Sequence, residues 1–303
     1  MKVIGIVFSK PKEYPDPLYP MGLKRPVYEE LISKCARDGI KVVIVSTKSY
    51  KGSGLFDWYW ETDSSGKTIF VDKAIKVDLG YDRSGGLSFP VVDDDFKVVD
   101  NYDFKQFAWN KWQAYSLLSK YMPETYLYKD RYNVKTDWVV LKPIDGLKGR
   151  GIYIGPKNEM DNFELLESRQ YIAQEFIDTS KGVSGIASGI HDLRVVVINS
   201  KLVWSHIRIP PCGLYKSNVA GGGQLKEVQL DDIPTSVIEI VQKISDMLYN
   251  RFDNPIYSVD FGISSNGRPY VFEINDQMGF PKPEMTNKDK FLDELIRNFK
   301  LKL

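Results

Sequence analysis

The chain has 303 residues, 43% hydrophobic and 27% charged, with 41 basic and 40 acidic side chains and a formal charge of +1. This is the composition of an ordinary globular protein of two or three compact units. The charge balance gives no bulk attraction to nucleic acid or to a membrane surface. Cys35 and Cys212 are the only cysteines; they are far apart and lack a CxxC, which excludes a disulfide framework and suggests buried thiols in a reducing compartment. No apolar run approaches the roughly 20 residues needed to cross a bilayer. The opening "MKVIGIVFS" reads as a strand and lacks a signal-peptide pattern, so the expected location is the cytoplasm.

The first third alternates strands and helices. "KVIGIVF" predicts a strand, "PVYEELISKCARDG" an amphipathic helix stopped at Gly39, and "IKVVIVS" a second strand, a βαβ pattern that implies a small parallel sheet. The segment after the first strand, "FSKPKEYPDP", is not GxGxxG, which argues against a dinucleotide site. "KGSGLFDWYWETDSSGKTIF" predicts a meander, and "KAIKVDLGYDRSGG" a strand entering a Gly-rich turn. Arg25, Tyr81, Arg83 and the aromatic "FDWYW" are either lining residues of an acceptor site or aromatics packed on the small sheet. The spacing then predicts a helix over "NKWQAYSLLSKYM", strands at "TDWVVLKPIDG" and "GRGIYIG", a helix over "EMDNFELLESR", and a strand at "YIAQEFI". Two antiparallel pairs follow, "DLRVVVIN" with "KLVWSHIRI" and "IYSVDFGIS" with "RPYVFEIN". Between them lies the helix "PTSVIEIVQKISDMLYNRF", and helix closes the chain at "DKFLDELIRNFK". The fold class is α/β on the N-terminal side and α+β on the C-terminal side.

The last strand pair carries chemistry. Asn266-Gly267 predicts a two-residue type I′ turn. Counting outward from it sets Asp260 opposite Glu273 and Ser258 opposite Asn275, all on one face. Facing carboxylates repel, so a cation is expected between them. The oxygen ligands Asp260, Glu273 and Asn275 suit Mg²⁺, or Mn²⁺ in its place, rather than zinc; the alternative is one Lys or Arg neutralising the pair. In "VVLKPIDGLKGRGIYIG", Lys142 ends an apolar strand. Gly146, Gly149 and Gly151 let backbone N–H groups approach an anion, while Lys148 and Arg150 add positive charge. It is not a Walker A loop, and by itself it also reads as a Gly-rich hairpin. Parity puts Asp192 with Arg194, and His206 with Arg208, on shared strand faces. "YKSNVAGGGQ" offers Asn218 and Gly221 to Gly223 as a second anion-compatible loop.

In this order, "NKW…LLSKYMPET", "VVLKPIDGLKGRGI", "QEFID", "HDLRVVV", "IRIP…SNVAGGG", "SVDFGI" and "VFEIN" resemble the ATP-grasp ligases over roughly residues 109–285. The likeness is to the glutamate-ligase and glutathione-synthetase-like branch and to the spore-coat-associated ATP-grasp proteins of bacilli. The resemblance implies an ATP-grasp fold with an N-terminal pre-ATP-grasp α/β domain (1–108), a central subdomain (109–180) and a C-terminal subdomain (181–303). It implies ATP and two Mg²⁺ ions held by Asp260, Glu273 and Asn275, with Glu273 bridging. Lys111 and Lys142 would contact the phosphates, and the Gly146–Gly151 loop, Lys148 included, would cover them. Gln174, Glu175, Phe176 and Ile177 would line the adenine, and Asp178 would take the ribose hydroxyls. Arg194 and Arg208 would hold the γ-phosphate or a substrate carboxylate, with Asn218 at the reaction centre. Two departures stand out: a long "TSKGVSGIAS" follows Asp178, and Ala220 stands where an arginine often precedes the paired glycines.

The implied activity is ATP-dependent ligation of a carboxylate, small-molecule or peptide, to an amine through an acylphosphate, releasing ADP and phosphate. A kinase acting on a small-molecule hydroxyl and a non-catalytic coat or scaffold protein are the alternatives. Neither nucleic acid nor membrane is an expected partner, and a homo-oligomer is compatible with the chain.

Overall fold

The computed structural model describes residues 1–63, 65–91, 96–146, 149–211, 213–215 and 222–303. The expected site residues Lys148 and Asn218, with Ala220, Gly221 and Cys212, lie outside the described residues.

The N-terminal region runs β1 (Lys2–Phe8), α1 (Arg25–Arg37), β2 (Ile40–Ser46), β3 (Leu55–Phe56), β4 (Tyr59–Thr62), β5 (Thr68–Val71), β6 (Ile75–Lys76), β7 (Leu79–Asp82) and β8 (Lys97–Val98). Its six-stranded sheet has the order β5-β4-β2-β1-β7-β8. β1 is parallel to β2 from Lys2↔Ile40 to Phe8↔Ser46, as the βαβ pattern predicts. Both strands are apolar on both faces because helix and meander cover the two sides. α1 buries Val27, Tyr28, Leu31 and Cys35, the i, i+4, i+8 stripe of a helix lying on a sheet. Burial pushes the Cys35 thiol up to about 12, so it packs rather than reacts.

Next come α2 (Tyr102–Trp109), α3 (Lys111–Leu118), β9 (Thr125–Leu127), β10 (Trp138–Pro143), β11 (Tyr153–Pro156) and β12 (Tyr171–Glu175). The expected helix at 110–122 is there as α3, closed by a 3-10 turn at Ser119–Tyr121. A second helix, α2, precedes it. Asn110 separates the two, and its side chain accepts the Trp112 and Gln113 N–H groups at the start of α3. The helix expected at 159–169 is absent. The chain makes a 3-10 turn at Lys157–Asn162 and is extended at Phe163. Met160, Phe163 and Leu166 recur every three residues, a 3-10 spacing rather than an α-helical one, and pack on a small core with Val139, Leu141 and Tyr171. The resulting four-stranded sheet has the order β11-β10-β12-β9.

The last part is β13 (Asp192–Ile198), β14 (Lys201–Ile209), β15 (Gln224–Glu227), α4 (Thr235–Tyr249), β16 (Tyr257–Ile263), β17 (Pro269–Asn275) and α5 (Lys288–Lys302). Its five-stranded antiparallel sheet is ordered β15-β14-β13-β16-β17. One face is apolar and buries Leu193, Val195, Val259, Phe261 and Val271 against α4. α5 packs between this sheet and α1, so Phe291, Leu295 and Phe299 share one core with Ile4, Leu31 and Trp204. Among the described residues no helix is long and apolar enough to cross a membrane.

The closing hairpin departs from the expected two-residue turn. Only Gly267 has positive φ, at +84°. The Ser264 N–H donates to Arg268 O and the Gly267 N–H to Ser264 O, a three-residue loop with Gly at the left-handed position. Near the turn the register is therefore Ile263↔Pro269 and Phe261↔Val271, one residue off the simple count. A bulge beside Asp260 absorbs the difference and restores Asp260↔Glu273 and Ser258↔Asn275. The extra residue is Phe272, whose ring lies over Gly262, 2.0 Å from where a Cβ would sit. Gly262→Ala is expected to cost about 1–3 kcal/mol in urea unfolding, as overpacking does. On a Phe272→Ala background that cost should largely vanish, because the coupling is between two touching groups.

Candidate active site

A cavity of about 640 Å³ opens between the four-stranded and five-stranded sheets, with Lys24, Gly85 and Gly86 of the N-terminal region on its wall. Its floor is the polar face of the C-terminal sheet. Register aligns His206, Arg194, Asp260 and Glu273 across β14, β13, β16 and β17 in one row. Arg208 lies opposite Asp192 beside that row. Alternation fixes this face, because the neighbours of each row member are the apolar residues buried on α4.

The cation expected between the two acids is present as protein groups. Arg194 grips Asp260 with both ends of its guanidinium, Nε to Oδ1 at 2.5 Å and Nη2 to Oδ2 at 2.6 Å. Arg208 donates to the same Oδ2 at 2.7 Å and also to Asp192. The Asn275 amide donates to Oδ2 at 3.3 Å. Burial alone raises the Asp260 carboxyl, but Arg194 and Arg208 outweigh it and hold it well below the usual range. Burial lowers the Arg208 guanidinium, and Asp260 and Asp192 more than offset this. His206 is driven well below an ordinary imidazole, first by burial and then by Arg194 and Arg208, so it is neutral at pH 7. Its ring lies 4.5 Å from that of Trp204.

Glu273 is paired with Lys111 Nζ at 3.0 Å, and the same ammonium donates to Gly146 O at 2.7 Å. That bond ties the first helix turn of α3 to the Gly-rich turn after β10. Lys142 Nζ donates to Gln174 Oε1 at 2.7 Å, and Gln174 Nε2 donates to Thr125 Oγ1 at 2.9 Å. Gln174 is thus an orienting group between strands. Burial brings the Lys142 ammonium down to about 8, with Glu273 pulling it up and Lys111 pushing it further down.

The cavity brings together most of the expected residues: Lys111, Lys142, Gly146, Gly149, Gln174 to Ile177, Arg194, Arg208, Asp260, Glu273 and Asn275 all line it. Gly151 and Asp178 are not among its lining residues. Gly151, at φ +70°, faces Leu166 and Tyr171 instead. Asp178 is exposed and its Oδ1 caps the Ser180 N–H, while the next residue, Thr179, lines the cavity. The N-terminal residues weighed for an acceptor site lie elsewhere. Arg25 is bound to Asp16 and Glu29, and Tyr81 and Trp60 are core residues. Arg83 lies behind the wall, donating to Met278 O.

Phe272, Tyr215 and Lys24 are among the lining residues without a sequence signal. Phe272 faces the cavity beside Glu273 because of the bulge. Tyr215 joins Phe176 and Trp138 in a ring cluster with centroids 5.4 to 5.6 Å apart. Lys24 sits one residue before the basic side chain that looked more promising.

The sheets and cavity together define the ATP-grasp fold. Over its whole length the chain superposes on the VanG D-Ala:D-Ser ligase of Enterococcus faecalis with a TM-score of 0.68 at 15% identity, covering 100% of this chain and 99% of that one. It is also similar to the ATP-grasp ligase PsnB solved with minimal precursor, Mg and ADP, with a TM-score of 0.61 at 14% identity over 98% of each chain. Residues 110–252 match the model of the prokaryotic glutathione synthetase ATP-grasp domain. A probable alpha-L-glutamate ligase of Syntrophotalea carbinolica is 27% identical over 164 residues, 52% of this chain and 49% of that protein. The chain spans about half the length of that relative.

Asp260 is the counter-charge for two largely buried arginines, so Asp260→Asn is expected to lose about 3–5 kcal/mol in urea unfolding. A carboxylate with a depressed folded pKa stabilises above its unfolded value and ceases to as pH falls through the folded one. The wild-type contribution should thus hold from pH 7 down to about 4, near the unfolded carboxyl value, and decay below it. The Asp260→Asn variant should lack that component of the acid limb.

Proposed function

We propose that the protein is an ATP-dependent carboxylate–amine ligase that forms an amide or peptide bond and releases ADP and phosphate. The observation that carries this is the convergence, in one cavity, of two lysines with a glycine turn, two oxygen donors on one strand, and a pair of arginines. We divide the chain as N-terminal 1–108, central 109–180 and C-terminal 181–303, and take its site of action as the cytoplasm.

The donor set fits Mg²⁺. Glu273 and Asn275 are hard oxygen ligands on the same face, and Mg²⁺ keeps few protein ligands when phosphates and water complete its shell. Asp260 is engaged by Arg194, Arg208 and Asn275, so it joins a metal only by giving up one of these bonds. With two ions, Glu273 would be the shared ligand, and Asp260 and Asn275 would complete the protein's donor set. ATP with Mg²⁺ would supply the phosphoryl group that converts a carboxylate to an acylphosphate, and the amine would then attack its acyl carbon, displacing phosphate and leaving the amide.

The chain's own part is positioning and charge neutralisation. Lys142 and Lys111 hold phosphate oxygens, Lys111 exchanging its bond to Glu273 for one to phosphate. Gly146 and Gly149 allow backbone to approach. Phe176, Ile177 and Phe272 wall the base. Arg194 and Arg208, already fixed on Asp260, face the charge that develops at the transferred group without needing to reorganise. No nucleophilic side chain is required.

Glu273→Ala is expected to lower ADP release with Mg²⁺-ATP by at least about 10²-fold, with unfolding transitions unchanged. The assay is a panel of carboxylate and amine pairs with mass analysis of the product. A folded variant with normal turnover would sink the metal assignment, and a phosphorylated hydroxyl in place of an amide would make the protein a kinase. Nucleotide affinity should also fall above pH 8. Lys142 is neutral there and must take up a proton to meet phosphate, which costs up to about tenfold per pH unit. Lys142→Met should bind weakly and without this pH dependence in calorimetric titration.

A further inference from the structure

Lys24 lies at the end of the 3-10 segment Tyr19–Lys24, which bends at Gly22 with φ +52°. It lines the cavity and is half-buried. Its ammonium rests against Gly279, 2.9 Å from the position a Cβ would take there, so the absence of a side chain at 279 makes the space for it. The next residue, Arg25, spends its charge on Asp16 and Glu29. Lys24 has no ionic partner within 4.0 Å among the described residues. Among the described residues, the charged groups that bear on it are cations. Its ammonium is lowered first by burial and then by Arg83, Arg194 and Lys282. A half-buried cation among cations is unfavourable unless an anion arrives. The lysines of the phosphate grip are already engaged at Glu273 and Gln174, and Arg194 and Arg208 at Asp260. Among the described residues, Lys24 is the lining cation left for a further negative group.

We propose that Lys24 binds a second carboxylate of the substrate, so that the acid activated here carries, besides the reacting carboxyl, another carboxylate on the N-terminal side of the cavity. The substrate class is a dicarboxylic amino acid or an acidic peptide rather than a neutral amino acid. This rests on the ligase reading, and binding rather than turnover separates the two.

The test is calorimetric titration of the full chain in saturating Mg²⁺ and ADP. The probes are L-glutamate and the dipeptide Ala-Glu, each against its amide, L-glutamine and Ala-Gln. In the wild type at least one acid should bind about tenfold tighter than its amide, the scale of one charge-assisted hydrogen bond. The pair that shows the preference tells a free amino acid from a peptide. Lys24→Met should erase the preference and Lys24→Arg restore it, with equal stabilisation by Mg²⁺ and ADP in all three proteins. The proposal is overturned if acid and amide bind alike in the wild type, if neither binds, or if Lys24→Met keeps the preference. If Mg²⁺ and ADP fail to stabilise the wild type, it is the ligase reading that falls.

Discussion

The pairing of Asp260 with Arg194 organises the site. Asp260 faces a second acid across β17 and a guanidinium across β13, so the charges on the sheet face alternate except at one junction. At that junction Lys111 reaches in from another element to meet Glu273. Two facing carboxylates are therefore each matched by a cationic side chain of the protein, Asp260 by Arg194 and Glu273 by Lys111. The apolar side of the same strands enforces the arrangement. Slipping β16 by one residue would turn Val259 and Phe261 to the cavity and bury Asp260 under α4. Hydrophobic burial on one face thus sets the register that aligns charge on the other.

The bulge at Phe272 refines that rule. A regular strand sends adjacent side chains to opposite faces, so it could offer Glu273 or its neighbour to the cavity, not both. The extra residue lets an aromatic ring and a carboxylate stand side by side, with Gly262 bare beneath the ring. Lys142 Nζ lies 5.7 Å from the centre of that ring, so the residues we propose for base wall and phosphate grip meet at one irregularity in the sheet.

Much of this was legible because it is local. Alternation in "IYSVDFGIS" and "RPYVFEIN" is enough to set Asp260 opposite Glu273 although the turn has three residues rather than two, because the longer loop and the bulge cancel. The bulge itself leaves no mark in the pattern, since Phe272 reads as an ordinary apolar strand residue. The helix Tyr102–Trp109 was missed because it is short and its boundary with α3 is a side-chain cap at Asn110, not a Gly or Pro. Lys24 and Arg25 look alike in the chain; Glu29, one helix turn on, and Asp16, brought close by the fold, decide that Arg25 is the cation that is spent. Asp178 and Thr179 likewise differ by one step of backbone direction after β12 ends.

The two sheets around the cavity are anchored unequally, and that bears on how they work. The C-terminal sheet shares a core with the N-terminal sheet through α1 and α5, where Phe280 stacks on Tyr28 at 4.1 Å. The row of charged side chains therefore stands on a platform fused to the wall that carries Lys24. The four-stranded sheet has only a small core of its own, Val134, Val139, Leu141, Met160, Tyr171 and Ala173. Lys111, on a helix packed in the C-terminal core, reaches the Gly-rich turn after β10 through a polar bond to Gly146 O. Bonds of that kind exchange readily for bonds to phosphate, whereas a shared apolar core does not open without cost. In the ligase we propose, the side bearing Lys142 and the Gly-rich turn is thus the part freer to adjust, and the acid–arginine row is its fixed reference.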